Sequence, residues 1–170
     1  MDDVIVNKVA QSGLVIINLD DFYTEGKRFS FDLKDFLFEE TILREKDFRE
    51  MMQQHNWEQY RNGFVAVYCS ADAIVPTWAY MLVAARLSDI AAKIFFGNAG
   101  VMESFLYDEK LKMLDPEIFK DQRVVIKGCS KKFVPPSAFV TITHLLVPQV
   151  RSLMFGEACS TVPVYKKGKG

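Results

Sequence analysis

The chain has 170 residues, 49% of them apolar and 25% charged, with 14 phenylalanines. That is enough apolar chain for a real core in one domain, and it excludes a disordered protein. Lys and Arg number 21 against 22 Asp and Glu, a net charge of -1, so neither nucleic acid nor an anionic membrane is expected as a partner.

Residues 1–62 read as an α+β lead-in to a single domain spanning 1–170. Residues 14–19 form an apolar strand ended by Asp20-Asp21, and 29–31 a second one after the Glu25-Gly26 turn. Phe48, Met51, Met52 and His55 follow helical spacing, so 46–55 reads as a helix with His55 half-buried at its end.

From residue 63 the pattern becomes a regular alternation. Strands are expected at 64–68, 93–96 and 123–126, with helices at 77–92, 99–113 and 137–154, the last kinked or restarted at Pro148. Such a 63–154 βαβαβα run with short connections predicts an α/β fold with parallel strands. Trp78, Tyr80, Met81 and Leu82 are dense enough to be core, whereas His144 falls opposite Phe139, Ile142 and Leu146 and should face solvent. Residues 155–170 are expected to fold back over the strand ends, with Gly156 as the turn, and the basic stretch from Lys166 to fray.

Met1-Asp2-Asp3 opens without a basic-then-apolar signal segment, and the longest mostly apolar stretch, 73–85, is too short to cross a bilayer. A cytoplasmic location and no membrane partner are expected, with the three cysteines reduced.

Those cysteines open similar phrases. Cys69-Ser70, Cys129-Ser130 and Cys159-Ser160 are each followed shortly by Val-Pro. Thiolate is both a soft metal ligand and a nucleophile. If the 64–68 strand lies between the 93–96 and 123–126 strands, Cys69 and Cys129 flank a switch point at the carboxyl ends of neighbouring strands, about 4.8 Å apart. Cys159 joins them on the strength of its phrase, and Asp72 is the nearest fourth ligand. A site of Cys69, Cys129, Cys159 and Asp72 would take an iron–sulfur cluster or zinc. Two rivals stand beside it. One is a thiol-dependent enzyme with Cys69 as nucleophile, assisted by Asp72 or a lysine. The other is a binding or scaffold module whose cysteines are buried filler. No Cys-x-x-Cys pair, phosphate loop or hydrolase elbow is present.

Four blocks carry a resemblance: Arg44-Glu45-Lys46-Asp47-Phe48-Arg49-Glu50, the stretch from Cys69-Ser70-Ala71-Asp72 to Trp78-Ala79-Tyr80-Met81, Lys127-Gly128-Cys129-Ser130, and Met154-Phe155-Gly156-Glu157-Ala158-Cys159-Ser160-Thr161-Val162-Pro163. Over nearly its whole length the chain resembles domain-of-unknown-function family 2480 of the Bacteroidota, which has no established activity. The resemblance implies a gene neighbourhood of iron–sulfur assembly. The expectation is therefore a metal-binding auxiliary of cluster assembly, with iron–sulfur assembly proteins as partners.

Overall fold

A computed structural model describes residues 7–9, 13–127, 131–157 and 159–168. In chain order these form β1 (Asn7–Val9), β2 (Leu14–Asn18), β3 (Arg28–Asp32), α1 (Glu45–Gln54), β4 (Phe64–Tyr68), α2 (Thr77–Leu87), β5 (Lys93–Phe96), α3 (Ala99–Leu111), β6 (Arg123–Lys127), α4 (Pro136–Leu146), β7 (Ser152–Glu157) and β8 (Ser160–Lys166). This is the expected α/β fold: a lead-in of strands and short 3-10 turns, then alternating parallel strands and helices.

The strands lie in two sheets, β1-β2-β6-β7-β8 and β3-β4-β5. Contacts divide the chain into a first unit, residues 1–24 with 103–170, and a second unit, residues 25–102. Each unit has its own core. In the second unit α1 buries Phe48 and Met52, and α2 buries Ala79, Val83 and Leu87, against Phe31, Val65 and Val67 of the parallel sheet. In the first unit α4 buries Ala138, Ile142 and Leu146 against Val15, Ile17, Val124, Ile126 and Leu153. α2 and α4 bury positions i, i+4 and i+8, and α1 positions i and i+4, one face of a helix with 3.6 residues per turn.

The two units repeat one design, displaced by 59 residues over most of its length. A 3-10 turn (Trp57–Tyr60, Pro116–Phe119) leads through a left-handed residue (Asn62, φ 58°; Asp121, φ 55°) into a strand (β4, β6). Eight residues separate each strand from a helix capped by proline, Pro76 before α2 and Pro135 before α4. Both helices then hand the chain to a parallel strand in the same way. Ala92 N–H donates to the Gly63 carbonyl at 2.9 Å, as Arg151 N–H does to Gln122 at 2.8 Å. The lead-in strands correspond too, with a displacement of 14. Asn18 and Asp32 each cap a 3-10 turn, Leu19–Phe22 and Leu33–Phe36, whose first residue is fully buried. Leu14 pairs with Arg123 as Arg28 pairs with Phe64.

This duplication explains where the structure departs from expectation. The 123–126 strand does not flank β4, whose neighbours are β3 and β5, because each half of the repeat builds its own sheet. The helix expected to run to residue 92 ends at Leu87, since Ala92 is already bonded to the sheet. The helix expected over 137–154 ends at Leu146, two residues before Pro148, and Ser152–Glu157 is β7. The fold-back at the C-terminus is β8, antiparallel to β7. Gly156 lies inside that hairpin opposite Thr161 rather than at its turn. Lys166 closes β8, and Lys167 is held by its N–H to the Arg151 carbonyl and its ammonium 3.3 Å from Asp121.

Candidate functional site

Cys69 follows β4 in the second unit, half-buried against that unit's core, and its thiol donates to the Ala71 carbonyl at 3.8 Å. Cys159 is exposed at the β7–β8 turn of the first unit. Asp72 is exposed in the loop after β4, and Cys129 lies outside the described residues. Among the described residues no group of three or more His, Cys, Asp or Glu side chains could hold a metal ion. The expected metal site, its iron–sulfur cluster or zinc, and the auxiliary role in cluster assembly are therefore corrected. The physical reason is the strand order: the switch point that would bring Cys69 and Cys129 to neighbouring strand ends does not form. The shared phrase has a plainer origin. Val75-Pro76 and Val134-Pro135 are equivalent helix starts of the repeat, whereas Cys69 corresponds in count to Gly128 and Ser70 to Cys129.

The loop after β4 is built around a carboxylate instead. Asp32, at the end of β3, accepts the Ser70 N–H at 2.9 Å, the Ser70 hydroxyl at 2.5 Å and the Lys34 N–H at 3.0 Å. Partial burial works to raise its pKa, but the Ser70 hydroxyl and the two N–H donors outweigh burial and hold it below the ordinary carboxylate value. The tie is structural, stitching two parallel strand ends. The contribution is present above the unfolded carboxylate pKa and is lost as pH falls through the lower folded one.

His55 ends α1 inside an aromatic cluster. Its ring stacks on Tyr60 at 5.7 Å and meets Phe31, Phe36 and Trp57 edge-on at 5.3, 5.9 and 4.8 Å. Its Nε2 lies 3.0 Å from the Tyr60 hydroxyl. Burial lowers its pKa, so the unfolded chain takes up the proton first. Stability should then be full above the unfolded pKa, about 6.5, and fall as pH drops below it. Chemical denaturation at pH 7 and pH 5.5 checks this: His55→Gln should flatten the pH dependence, and an unchanged slope would contradict it.

A well-formed concavity lies wholly within the first unit. It is an open groove of about 640 Å³ between α4 and the β7–β8 hairpin. Phe139, Val140, Thr143 and His144 form the helix wall, and Leu153, Phe155 and Val164 the strand wall. Phe139 and Phe155 meet edge to face at 5.7 Å. Val164 is the extra residue of a β-bulge, since Leu153 pairs with Tyr165 but Met154 with Pro163. A bulge re-aims a side chain locally. Val140 is 71% exposed and Val164 52%. Val140, Phe155 and Val164 therefore expose apolar side chains within one concavity. His144 is exposed as expected, but it stands at the groove rim rather than in open solvent. The groove is not legible in the sequence because Leu153 fits a helix there, and Phe155 and Val164 fit a tail.

Together these features define an α/β protein of two duplicated units, with an apolar groove in the first. The chain belongs to the family described as "Protein of unknown function (DUF2480)", which matches residues 3–167. No curated protein and no solved structure matches the chain. No helix among the described residues is long and apolar enough to cross a membrane.

Proposed function

We propose that the chain is a binding protein for a small amphipathic molecule, held in the groove between α4 and β7–β8. The observation that carries this reading is the groove itself. Its 640 Å³ falls within the range of ligand sites, about 300–1,000 Å³. Its lining is apolar except for Thr143 and His144, neighbours on α4. An apolar wall with one cluster of polar groups suits an acyl- or aryl-sized body with a carboxylate head, which the imidazole and hydroxyl can meet as hydrogen-bond donors. An added β-strand suits the groove less. Pro163 lies in the edge strand β8 opposite Met154, so the open edge lacks a donor there. A cytoplasmic location accompanies this reading, supported by the free thiols Cys69 and Cys159.

Decanoate and decanol serve as probes in calorimetric titration. Decanoate should bind the whole chain at one site, and His144→Ala should weaken decanoate by about tenfold, or 1.4 kcal/mol, with less effect on decanol. Val140→Glu should weaken both. Binding of both probes unaltered by Val140→Glu would contradict the assignment.

A further inference from the structure

The repeat points to an unpartnered strand edge in the second unit. In the first unit β7 is not an edge strand, because β8 pairs with it antiparallel. In the second unit the counterpart, β5, ends its three-stranded sheet. The correspondence at this edge is close. Phe155 and Phe96 occupy equivalent positions, and each packs edge to face on the equivalent helix residue: Phe139 at 5.7 Å, Tyr80 at 5.2 Å. The next residue is glycine in both, Gly156 and Gly97, each with φ 122°. Val140, which lines the groove, corresponds to Met81.

The backbone of β5 alternates as a parallel strand must. Lys93 and Gly97 N–H groups donate to β4, at Gly63 and Val67, so Ile94 and Phe96 direct their N–H and C=O to the other edge. Their counterparts, Leu153 and Phe155, face Tyr165 and Val162 of β8. On the second unit the apolar surface beside this edge is open: Phe96 is 70% exposed and Met81 66%. Exposed apolar edge strands are ordinarily blunted or covered, and the first unit shows in the same chain what covers one.

We propose that the β5 edge accepts an extended segment of a partner protein, added antiparallel as β8 is to β7. The segment would bond to Ile94 and Phe96 and lay an apolar, β8-like side chain over Met81 and Phe96. Main-chain bonds supply the affinity in such strand addition and alternate side chains the selectivity.

The probe is a capped peptide with the sequence of β8, residues 160–166, titrated into the whole 15N-labelled chain. The Ile94 and Phe96 amides should shift, and their hydrogen exchange should slow by about tenfold or more. Met81→Asp, at an exposed helix position, should keep the wild-type melting temperature, and both it and Phe96→Asp should lose about tenfold or more in peptide affinity. Unmoved Ile94 and Phe96 amides would overturn the proposal. So would shifts at Leu153 and Phe155 instead, which would mean exchange with the chain's own β8. A concentration-dependent dimer that protects Ile94 and Phe96 without peptide would overturn it in favour of a second copy as occupant. None of these outcomes depends on decanoate binding, so the two sites fail separately.

Discussion

Phe31→Ala is expected to destabilise the protein by about 3–5 kcal/mol. Phe31 is 2% exposed and lies stacked between two rings, Phe36 at 5.1 Å and Trp57 at 5.4 Å, with interplanar angles of 3° and 10°. It also meets the edge of His55. Removing the ring leaves a void among side chains fixed by other bonds: Trp57 Nε1–H donates to the Met52 carbonyl at 2.8 Å, and His55 is tied to Tyr60. Collapse into the void would break those ties, so the cavity cost persists in addition to the lost transfer energy. Urea titration followed by tryptophan fluorescence measures it. A loss below about 1 kcal/mol would mean that the cluster repacks freely.

Gly156→Ala should cost about 3 kcal/mol and weaken ligand binding at the groove. Gly156 holds φ 122°, a region that L side chains rarely adopt. A Cβ there would lie 2.5 Å from the Ser160 carbonyl oxygen, an atom of the opposing backbone that no rotamer change can move. The hairpin must therefore shift, and the bulge that places Val164 in the groove lies on the same two strands. Thermal unfolding reads the first effect and decanoate affinity the second. An Ala variant that melts like the wild type would show that the hairpin absorbs the strain.

Much of the architecture is legible in residue patterns. The strands at 64–68 and 93–96 appear with the expected limits, because β-branched and aromatic runs there are closed by Cys69 and Gly97. Helix α1 is legible from Phe48 and Met52, which it buries. The two helices expected to run on to 92 and 154 end early for one cause. Residues 88–92 and 150–154 hold no proline or glycine and fit either a helix or a strand by composition, and what commits the chain to the sheet is a hydrogen bond to a carbonyl far away in sequence, Gly63 or Gln122. The repeat left only faint traces: Leu-x-Asp-Phe at Leu19–Phe22 and Leu33–Phe36, and Val-Pro before α2 and α4. In the second trace the proline is the repeated element and the thiol is not. Trp78, Tyr80 and Leu82 pack against the second unit's core as expected, whereas Met81 is exposed. Its exposure follows from the missing counterpart of β8.

The most direct measurement is methyl NMR of the whole chain, labelled at Val, Leu and Ile, during titration with decanoate. Binding in the groove predicts saturable shifts at Val140, Leu153, Val164 and Ile126, with the core methyls of Val65 and Val83 unmoved. Shifts confined to other exposed methyls, such as Ile42 and Ile74, or no saturable shifts at all, would contradict the groove as the binding site.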